Sequence, residues 1–260
     1  MYKLTLLSLL IALPFGLVQA QTPAEKGLAI ATEIDDRDQG WQDQTSNMQM
    51  ILTNRQGQSS TRKIRLSSLE VPGDGDKSIS IFDEPADVKG TAFLSHTHAV
   101  KPDDQWLYLP ALKRVKRISS SNKSGPFMGS EFAYEDIASQ EVAKYTYKYL
   151  GEEEIDGRKM FINELYPQYK KSGYTRQVAW VDQERYVLLK VEFYDRKNTL
   201  LKTLNFVDYN QYLDKYWRPD EMHMVNHQTG KSSKLIWSDY TFQNGLSDSD
   251  FERSILQRLR

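Results

Sequence analysis

The feature that most constrains the fold is a long series of short segments in which apolar and polar residues alternate, separated by brief turns. Trp41 to Thr53 alternates in this way, with Met48 and Met50 on one face. Asn54 to Gly57 is typical of a turn, and Thr61 to Leu69 is the predicted return strand. Connections this short cannot hold a crossover helix, so the strands are predicted to pair antiparallel.

The same pattern continues through most of the chain and predicts about ten or eleven strands. Helical spacing of apolar residues is confined to three places: Ala24 to Gln39, Glu131 to Ile137, and a C-terminal segment that Ser247 can cap. The fold class is therefore mainly β, within α+β: one strongly curved antiparallel sheet with helices covering its open side. Such a sheet has no packed interior of its own, so either the helices or a ligand must fill it.

The first 20 residues have the pattern of a secretory signal peptide. Lys3 precedes an apolar run from Leu4 to Val18, and the small-residue end Val18-Gln19-Ala20 predicts cleavage after Ala20. The chain contains no cysteine, which excludes a lipobox acylation site and a disulfide framework. Residues 21–260 show no shift in composition and are predicted to form a single exported domain.

Composition excludes one class of partner and favours another. The formal net charge is −1, so there is no global basic field that would indicate nucleic-acid binding. The chain carries fifteen Tyr, ten Phe and five Trp residues. Tyrosine and tryptophan combine an apolar body with a polar tip, which suits both β-sheets and surfaces that meet lipid.

The sequence predicts neither a metal site nor a cofactor. His96 and His98 are spaced to point the same way from a strand, but no third ligand lies nearby in the sequence. His223 and His227 would lie roughly 13 Å apart along a strand, so structural or surface roles are the favoured interpretation for both pairs.

Catalytic motifs are also missing from the sequence. There is no G-x-S-x-G, no H-E-x-x-H and no cysteine nucleophile, and Ser119 to Ser121 read as a polar linker. The chain is therefore predicted not to be an enzyme, with no catalytic residues. Lipid hydrolysis stays the least favoured alternative, because a catalytic triad is defined by spatial geometry that a sequence does not display.

The stretch from Asp103 to Ile137 carries the strongest functional signal. An apolar strand, Gln105 to Leu109, is followed by a glycine-flanked apolar loop and a short amphipathic helix that Ser130 would cap. Apolar side chains on a hinged loop beside an apolar sheet are typical of a lid over an apolar cavity. The candidate lipid-binding residues, in the cavity or its lid, are Met48, Met50, Trp106, Tyr108, Phe127, Met128, Phe132 and Tyr134. Ordinary core packing is the alternative for each of them.

A basic cluster follows the apolar strand, formed by Lys113, Arg114, Lys116 and Arg117. In a strand these cations would lie on both faces, so a solvated end of the sheet is one interpretation. The other is a docking patch for anionic headgroups or for the acidic surface of a transporter.

These residues carry a family resemblance. The segment W-L-Y-L-P followed by K-R, S-G-P-F-M-G-S and F-A-Y-E-D resembles the LolA-like family of outer-membrane lipoprotein-sorting proteins. The similarity runs from the helix around Glu25 to Gln39 as far as L-S-D-S-D-F at Leu246 to Phe251. It implies an incomplete barrel closed by a helical lid, a periplasmic location and an inner-membrane RND-type exporter as partner.

The predicted function is that of a periplasmic carrier, soluble after signal-peptide cleavage, which shields acyl chains of lipids or lipoproteins for transfer towards the outer membrane. Its partners would be the acyl chains themselves, the exporter and, transiently, a membrane, but no nucleic acid. The alternative from another class is an accessory subunit of an RND-type lipid exporter that carries nothing.

Overall fold

The computed structural model describes residues 21–119 and 122–258, so the predicted signal peptide lies outside the described residues. They form an antiparallel sheet of thirteen strands. The strands are β1 Asp43–Thr53, β2 Ser59–Leu69, β3 Lys77–Glu84, β4 Ala92–His96, β5 Asp104–Leu109, β6 Arg114–Ile118, β7 Tyr145–Ile155, β8 Arg158–Pro167, β9 Arg176–Asp182, β10 Leu188–Tyr194, β11 Leu200–Tyr212, β12 Tyr216–Asn226 and β13 Ser232–Phe242. The observed number is higher than the ten or eleven that the sequence predicted, and the shortest strands, β4 and β6, have five residues each.

The strand order explains the shape of the sheet. It runs β6-β5-β4-β3-β2-β1-β13-β12-β11-β10-β9-β8-β7, so sequential hairpins form two halves that meet where β1 pairs with β13. The two edge strands, β6 and β7, are not joined to each other. The sheet is therefore an incomplete barrel, and the predicted fold class is confirmed.

Irregular pairing helps the sheet to curve. The register between β1 and β13 shifts at Thr45 to Asn47, and β7 shifts against β8 at Tyr149 to Gly151. Extra residues of this kind bend a strand and increase its local twist. The curvature gives the sheet a concave face, which holds the main core, and a convex face.

A smaller apolar cluster covers part of the convex face. Two C-terminal 3₁₀ helices, Asp248–Phe251 and Arg253–Gln257, place Phe251 and Leu256 against Leu94 and its neighbours in β3 and β4. Phe251 and Leu256 are fully buried there. These helices stabilise the outside of the sheet and leave its concave side to other elements.

Helix α1, Pro23–Arg37, packs across β7 and β8. Thr22 begins it with a capping box, in which the hydroxyl accepts the Glu25 N–H and the Glu25 carboxylate accepts the Thr22 N–H. Gly27 allows close approach, because the Asn163 amide donates to its carbonyl at 2.9 Å. A Cβ at this position would stand 2.7 Å from Asn163 Oδ1 and 2.9 Å from the Tyr149 nitrogen.

Gly27→Ala is therefore expected to be destabilising, although alanine favours helices. The new methyl group would push α1 away from two strands, and overpacking of this kind costs roughly 1–3 kcal/mol. Urea denaturation of Gly27→Ala would measure the loss. Ala29→Gly, at an exposed position of the same helix, serves as control and should cost only about 1 kcal/mol through helix propensity. A Gly27→Ala protein as stable as wild type would contradict the packing role.

The segment between the edge strands differs from its prediction. Helix α2 covers only Tyr134–Ile137, whereas the sequence predicted Glu131 to Ile137 with Ser130 as the N-cap. Ser130 instead donates its hydroxyl to the Phe127 carbonyl at 2.7 Å, and the Phe127 N–H donates to the Phe132 carbonyl. This tight loop keeps the backbone before Tyr134 extended, so the helix begins three residues later than predicted.

Candidate ligand-binding cavity

A cavity of about 800 Å³ lies between the concave face of the sheet, helix α1 and the segment that follows β6. Its volume falls within the range of roughly 300–1,000 Å³ found for small-molecule sites. We call the end of the barrel where β1 begins and β13 ends the open end, and the opposite end the closed end. The lid is defined as residues 122–144, which belong to the connection between the edge strands β6 and β7.

The floor of the cavity is formed by Phe127 and Phe132 of the lid. Each is only 1% exposed, so both are wedged into the core. The Phe127 ring lies 5.1 Å from that of Phe93 and 5.5 Å from that of Tyr134. These rings of the lid therefore fill the closed end of the barrel.

A buried ion pair fixes the lid to the sheet. Lys202 on β11 lies 2.6 Å from the Asp136 carboxylate of α2, and the two side chains are 4% and 5% exposed. The same ammonium donates to the Glu131 carbonyl at 2.9 Å. The Tyr174 hydroxyl donates to the other Asp136 oxygen at 2.8 Å, which leaves the carboxylate well satisfied.

Strands from both halves of the sheet form most of the apolar wall. Met48 and Leu66 come from β1 and β2, while Leu235 and Trp237 come from β13 and Phe206 from β11. Small polar side chains line the neighbouring part of the wall, among them Ser46, Ser68, Ser78 and Ser80. The wall thus combines apolar surface with space that larger side chains would fill.

Three of the eight candidate lipid-binding residues line the cavity, namely Met48, Phe127 and Phe132. Three more, Met50, Met128 and Tyr134, pack in the same concave core behind this lining.

The structure places Trp106 and Tyr108 away from the cavity. They pack on the convex face with the C-terminal 3₁₀ helices, because these two residues of β5 point outward while Leu107 points inward. The uninterrupted apolar run at this strand gave no indication of which residues face the concave side. Any lipid-binding role for Trp106 and Tyr108 would need a site other than this cavity.

Sequence reasoning missed most of the wall. Leu235, Trp237, Phe206 and Met222 line the cavity, yet their segments were assigned only as strands. Their alternation shows that they share faces, but only the pairing of β13 with β1 places those faces opposite the lid.

The four basic candidates lie at the edge of the sheet. Arg114, Lys116 and Arg117 are exposed on edge strand β6, and Lys113 precedes it with a left-handed backbone. Only Arg117 forms an ion pair with the described residues, and its partner is Asp104. Charged side chains on an edge strand also protect it from pairing with other chains, so the placement fits both interpretations of this cluster.

Each histidine contacts the protein itself. His96 Nε2 lies 2.7 Å from the Phe251 carbonyl oxygen, and His98 Nδ1 lies 2.8 Å from Asp74. His223 contacts Glu221 at 2.5 Å and His227 contacts the Thr203 hydroxyl at 2.8 Å. Within residues 21–119 and 122–258, no three histidine, aspartate or glutamate side chains are grouped as metal ligands.

Carboxyl groups near the open end have perturbed pKa values. Burial raises the pKa of Asp76, which lines the cavity, to about 6. Burial and the nearby Asp76 raise the pKa of Glu141 to about 7, although Lys144 opposes the shift. Asp38 faces the cavity with half its side chain exposed. Partial burial raises its pKa above the ordinary value, although Arg218, 2.5 Å away, acts in the opposite direction.

The raised pKa of Glu141 predicts a stability that falls as pH rises. Between the unfolded pKa near 4.5 and the folded pKa near 7, the folded chain binds more protons than the unfolded chain. The contribution of Glu141 to the free energy of unfolding should therefore be largest below pH 4.5 and should decrease between pH 4.5 and about pH 7. Glu141→Gln, a mimic of the protonated acid, should stabilise the protein at pH 8 by roughly 1–2 kcal/mol and much less at pH 4. Urea denaturation across this pH range measures the difference, and equal effects at both pH values would contradict it.

Comparison with known proteins shows the relationships of this chain. The model of a family described only as an uncharacterized protein matches residues 74–258. A domain named as an outer membrane lipoprotein-sorting protein from Vibrio parahaemolyticus is 61% identical, with a TM-score of 0.89 over 90% of this chain and 100% of that one. A DUF1329 family protein from Desulfovibrio piger is 34% identical, with a TM-score of 0.86 over 90% and 99% of the two chains. No match was found among curated proteins.

A more distant structure defines the fold class. A LolA superfamily protein from Nitrosomonas europaea is 24% identical and has a TM-score of 0.70, covering 90% of this chain and 99% of that one. An incomplete antiparallel barrel with a lid and an open apolar cavity is thus a LolA-like fold. The chain belongs to the LolA-like family of outer-membrane lipoprotein-sorting proteins.

Proposed function

We propose that the protein is a periplasmic carrier that binds acyl chains of lipids or lipoproteins in its cavity and transfers them towards the outer membrane. The observation that carries this proposal is the open cavity, whose floor and much of whose wall are apolar. Burying a methylene group is worth about 0.8 kcal/mol, so even part of an acyl chain would supply ample affinity. The name of the Vibrio parahaemolyticus relative, a lipoprotein-sorting protein, supports the same cargo class.

The proposed location depends on the first 20 residues, whose pattern favours export and removal of the segment. Among the described residues, no helix is both long and apolar enough to cross a membrane. The mechanism is binding and release, and we propose no step in which a covalent bond is made or broken. Because an enclosed acyl chain is held tightly, release requires a membrane or partner that favours a more open state.

Lipid extraction tests the carrier function directly. Protein purified from its native periplasm without detergent should contain acyl-bearing molecules detectable by mass spectrometry at a substantial molar fraction. A fluorescent fatty-acid probe should bind the delipidated protein and be displaced by the extracted lipid. Protein that is consistently empty and also ignores acyl probes would overturn the proposal.

The exposed basic residues of β6 favour a second candidate function, an accessory subunit that docks on an RND-type exporter or an anionic membrane. Lys113, Arg114 and Lys116 form no ion pair with the described residues and stand at a free edge of the sheet. Reversal of the four cations to glutamate should lower binding to anionic liposomes or to a purified exporter. Unchanged binding would make this cluster ordinary edge protection.

A further inference from the structure

We propose that the open end of the cavity binds an anionic headgroup through Arg185 and Lys215. This inference rests on the proposed carrier function and specifies the cargo as an anionic amphiphile. Its tail would lie against the floor formed by Phe127 and Phe132, and its headgroup would lie at the opposite, open end. The inference rests on two cations that line the cavity at that end without a carboxylate partner among the described residues.

Three separate elements bring cations to one side of the cavity at its open end. Arg37 lies at the end of α1, and Arg185 lies in the turn between β9 and β10. Lys215 lies in the turn between β11 and β12, and Arg218 near the start of β12. All four line the cavity. The Arg37 guanidinium donates to the Glu184 carbonyl at 2.9 Å, so the helix end is tied to the turn that carries Arg185.

Two of these cations are already neutralised. Arg37 pairs with Glu33 at 2.7 Å, and Arg218 pairs with Asp38 at 2.5 Å and donates to Gln44. These ion pairs fix the two side chains and neutralise their charges. They leave the other two cations as the groups available to a ligand.

Arg185 and Lys215 have no carboxylate partner among the residues that the structure describes. Arg185 lies 5.0 Å from the Trp217 ring, and Lys215 donates to the Gln39 carbonyl. Asp214 also lines the cavity on this side, and the nearby Glu70 carboxylate accepts the Gly40 and Gln42 N–H groups at 2.6 and 2.8 Å. Arg185 and Lys215 are thus the two lining cations here that can form charge-assisted hydrogen bonds with an anion.

The surroundings favour an anion held at this side of the open end. The Trp217 ring supports the Arg185 guanidinium from one face, which leaves its planar donors able to bind a phosphate or carboxylate. The acidic groups Asp76 and Asp136 also line the cavity, but Asp136 is paired with Lys202. Asp76 would repel an anion, so the headgroup should lie at the side that carries Arg185.

The test compares amphiphiles that share acyl chains and differ in the headgroup. Binding of phosphatidylglycerol, phosphatidylcholine, diacylglycerol and a free fatty acid to delipidated protein would be measured by displacement of a fluorescent acyl probe. Inorganic phosphate and glycerol phosphate serve as headgroup-only probes. We expect phosphatidylglycerol, the fatty acid or both to bind about tenfold more tightly than diacylglycerol.

The variant Arg185→Gln/Lys215→Gln should lose that preference and bind diacylglycerol as wild type does. A matched control is Arg55→Gln/Lys89→Gln, which removes the same charges from exposed turns at the closed end and should change nothing. Tighter binding of phosphatidylglycerol than of the fatty acid would identify the headgroup as a phosphate. Tighter binding of the fatty acid would identify it as a carboxylate. Either result supports the inference.

Other outcomes would separate this inference from the carrier function. If diacylglycerol and the anionic lipids bind equally and the variant has no effect, the headgroup site is overturned while the carrier function stands. Tight binding of inorganic phosphate that does not compete with lipid would also overturn it, because the site would then be independent of the cavity. If no amphiphile binds wild-type protein, the carrier function fails and the inference fails with it.

Discussion

Replacing Lys202 by methionine is expected to lower the free energy of unfolding by about 3–5 kcal/mol, because it leaves a buried carboxylate without its counter-charge. Asp136 is 5% exposed and would keep only the Tyr174 hydroxyl and the Ala133 N–H as partners. Urea denaturation of Lys202→Met measures the loss. Because Asp136 belongs to the lid, limited proteolysis should also cut the lid of the variant first.

Two further variants separate this effect from a general loss of charge. Lys77→Met removes another lysine from a strand, but its partner Asp248 is 78% exposed, so the cost should be at most about 1 kcal/mol. Lys202→Met/Asp136→Asn removes both charges and should recover much of the stability that the single change loses. A Lys202→Met protein that loses no more than Lys77→Met would show that the buried pair does not hold the lid.

Filling the cavity is expected to reduce lipid binding by at least about tenfold, since excluding just two methylene groups costs about 1.6 kcal/mol. Ser68 and Ser78 are suitable positions, because they face each other across β2 and β3 and both line the cavity. In Ser68→Phe/Ser78→Phe, two rings would occupy space that an acyl chain needs. Titration with a fluorescent fatty acid would measure the change in affinity.

A matched pair on the outer face controls for the new rings. Asn47 and Ser238 are paired across β1 and β13 and are both exposed, so Asn47→Phe/Ser238→Phe adds the same groups outside the cavity. That variant should bind the probe as wild type does. If the cavity variant remains folded and binds with unchanged affinity, the acyl chain does not occupy this cavity.

The fold was largely predictable from the sequence because its determinants are local. Alternation along β1 and β2 and the turn at Asn54 to Gly57 specify a hairpin without reference to the rest of the chain. Helix α2 was less predictable, because Ser130 resembles an N-cap but its hydroxyl is used by the Phe127 carbonyl. That contact belongs to a loop whose shape depends on the core around it.

The candidate site was only partly predictable. Phe127 and Phe132 were found because glycines flank the apolar loop that carries the first of them, whereas Trp106 was assigned to the cavity from an apolar run without a distinct face. The wall from β13 could not be found, because Leu235 and Trp237 meet β1 through a pairing nearly 190 residues away in sequence. Long-range register decides which face is inside, and a single sequence does not state it.

The covalent path between the two edge strands has a mechanical consequence. Because β6 and β7 are connected through the lid, the chain that spans the gap in the barrel also carries the two phenylalanines that form the cavity floor. Moving β6 and β7 apart would therefore pull on the lid and displace the cavity floor at the same time. If the proposed carrier function holds, a partner that binds one edge would release the acyl chain without entering the cavity.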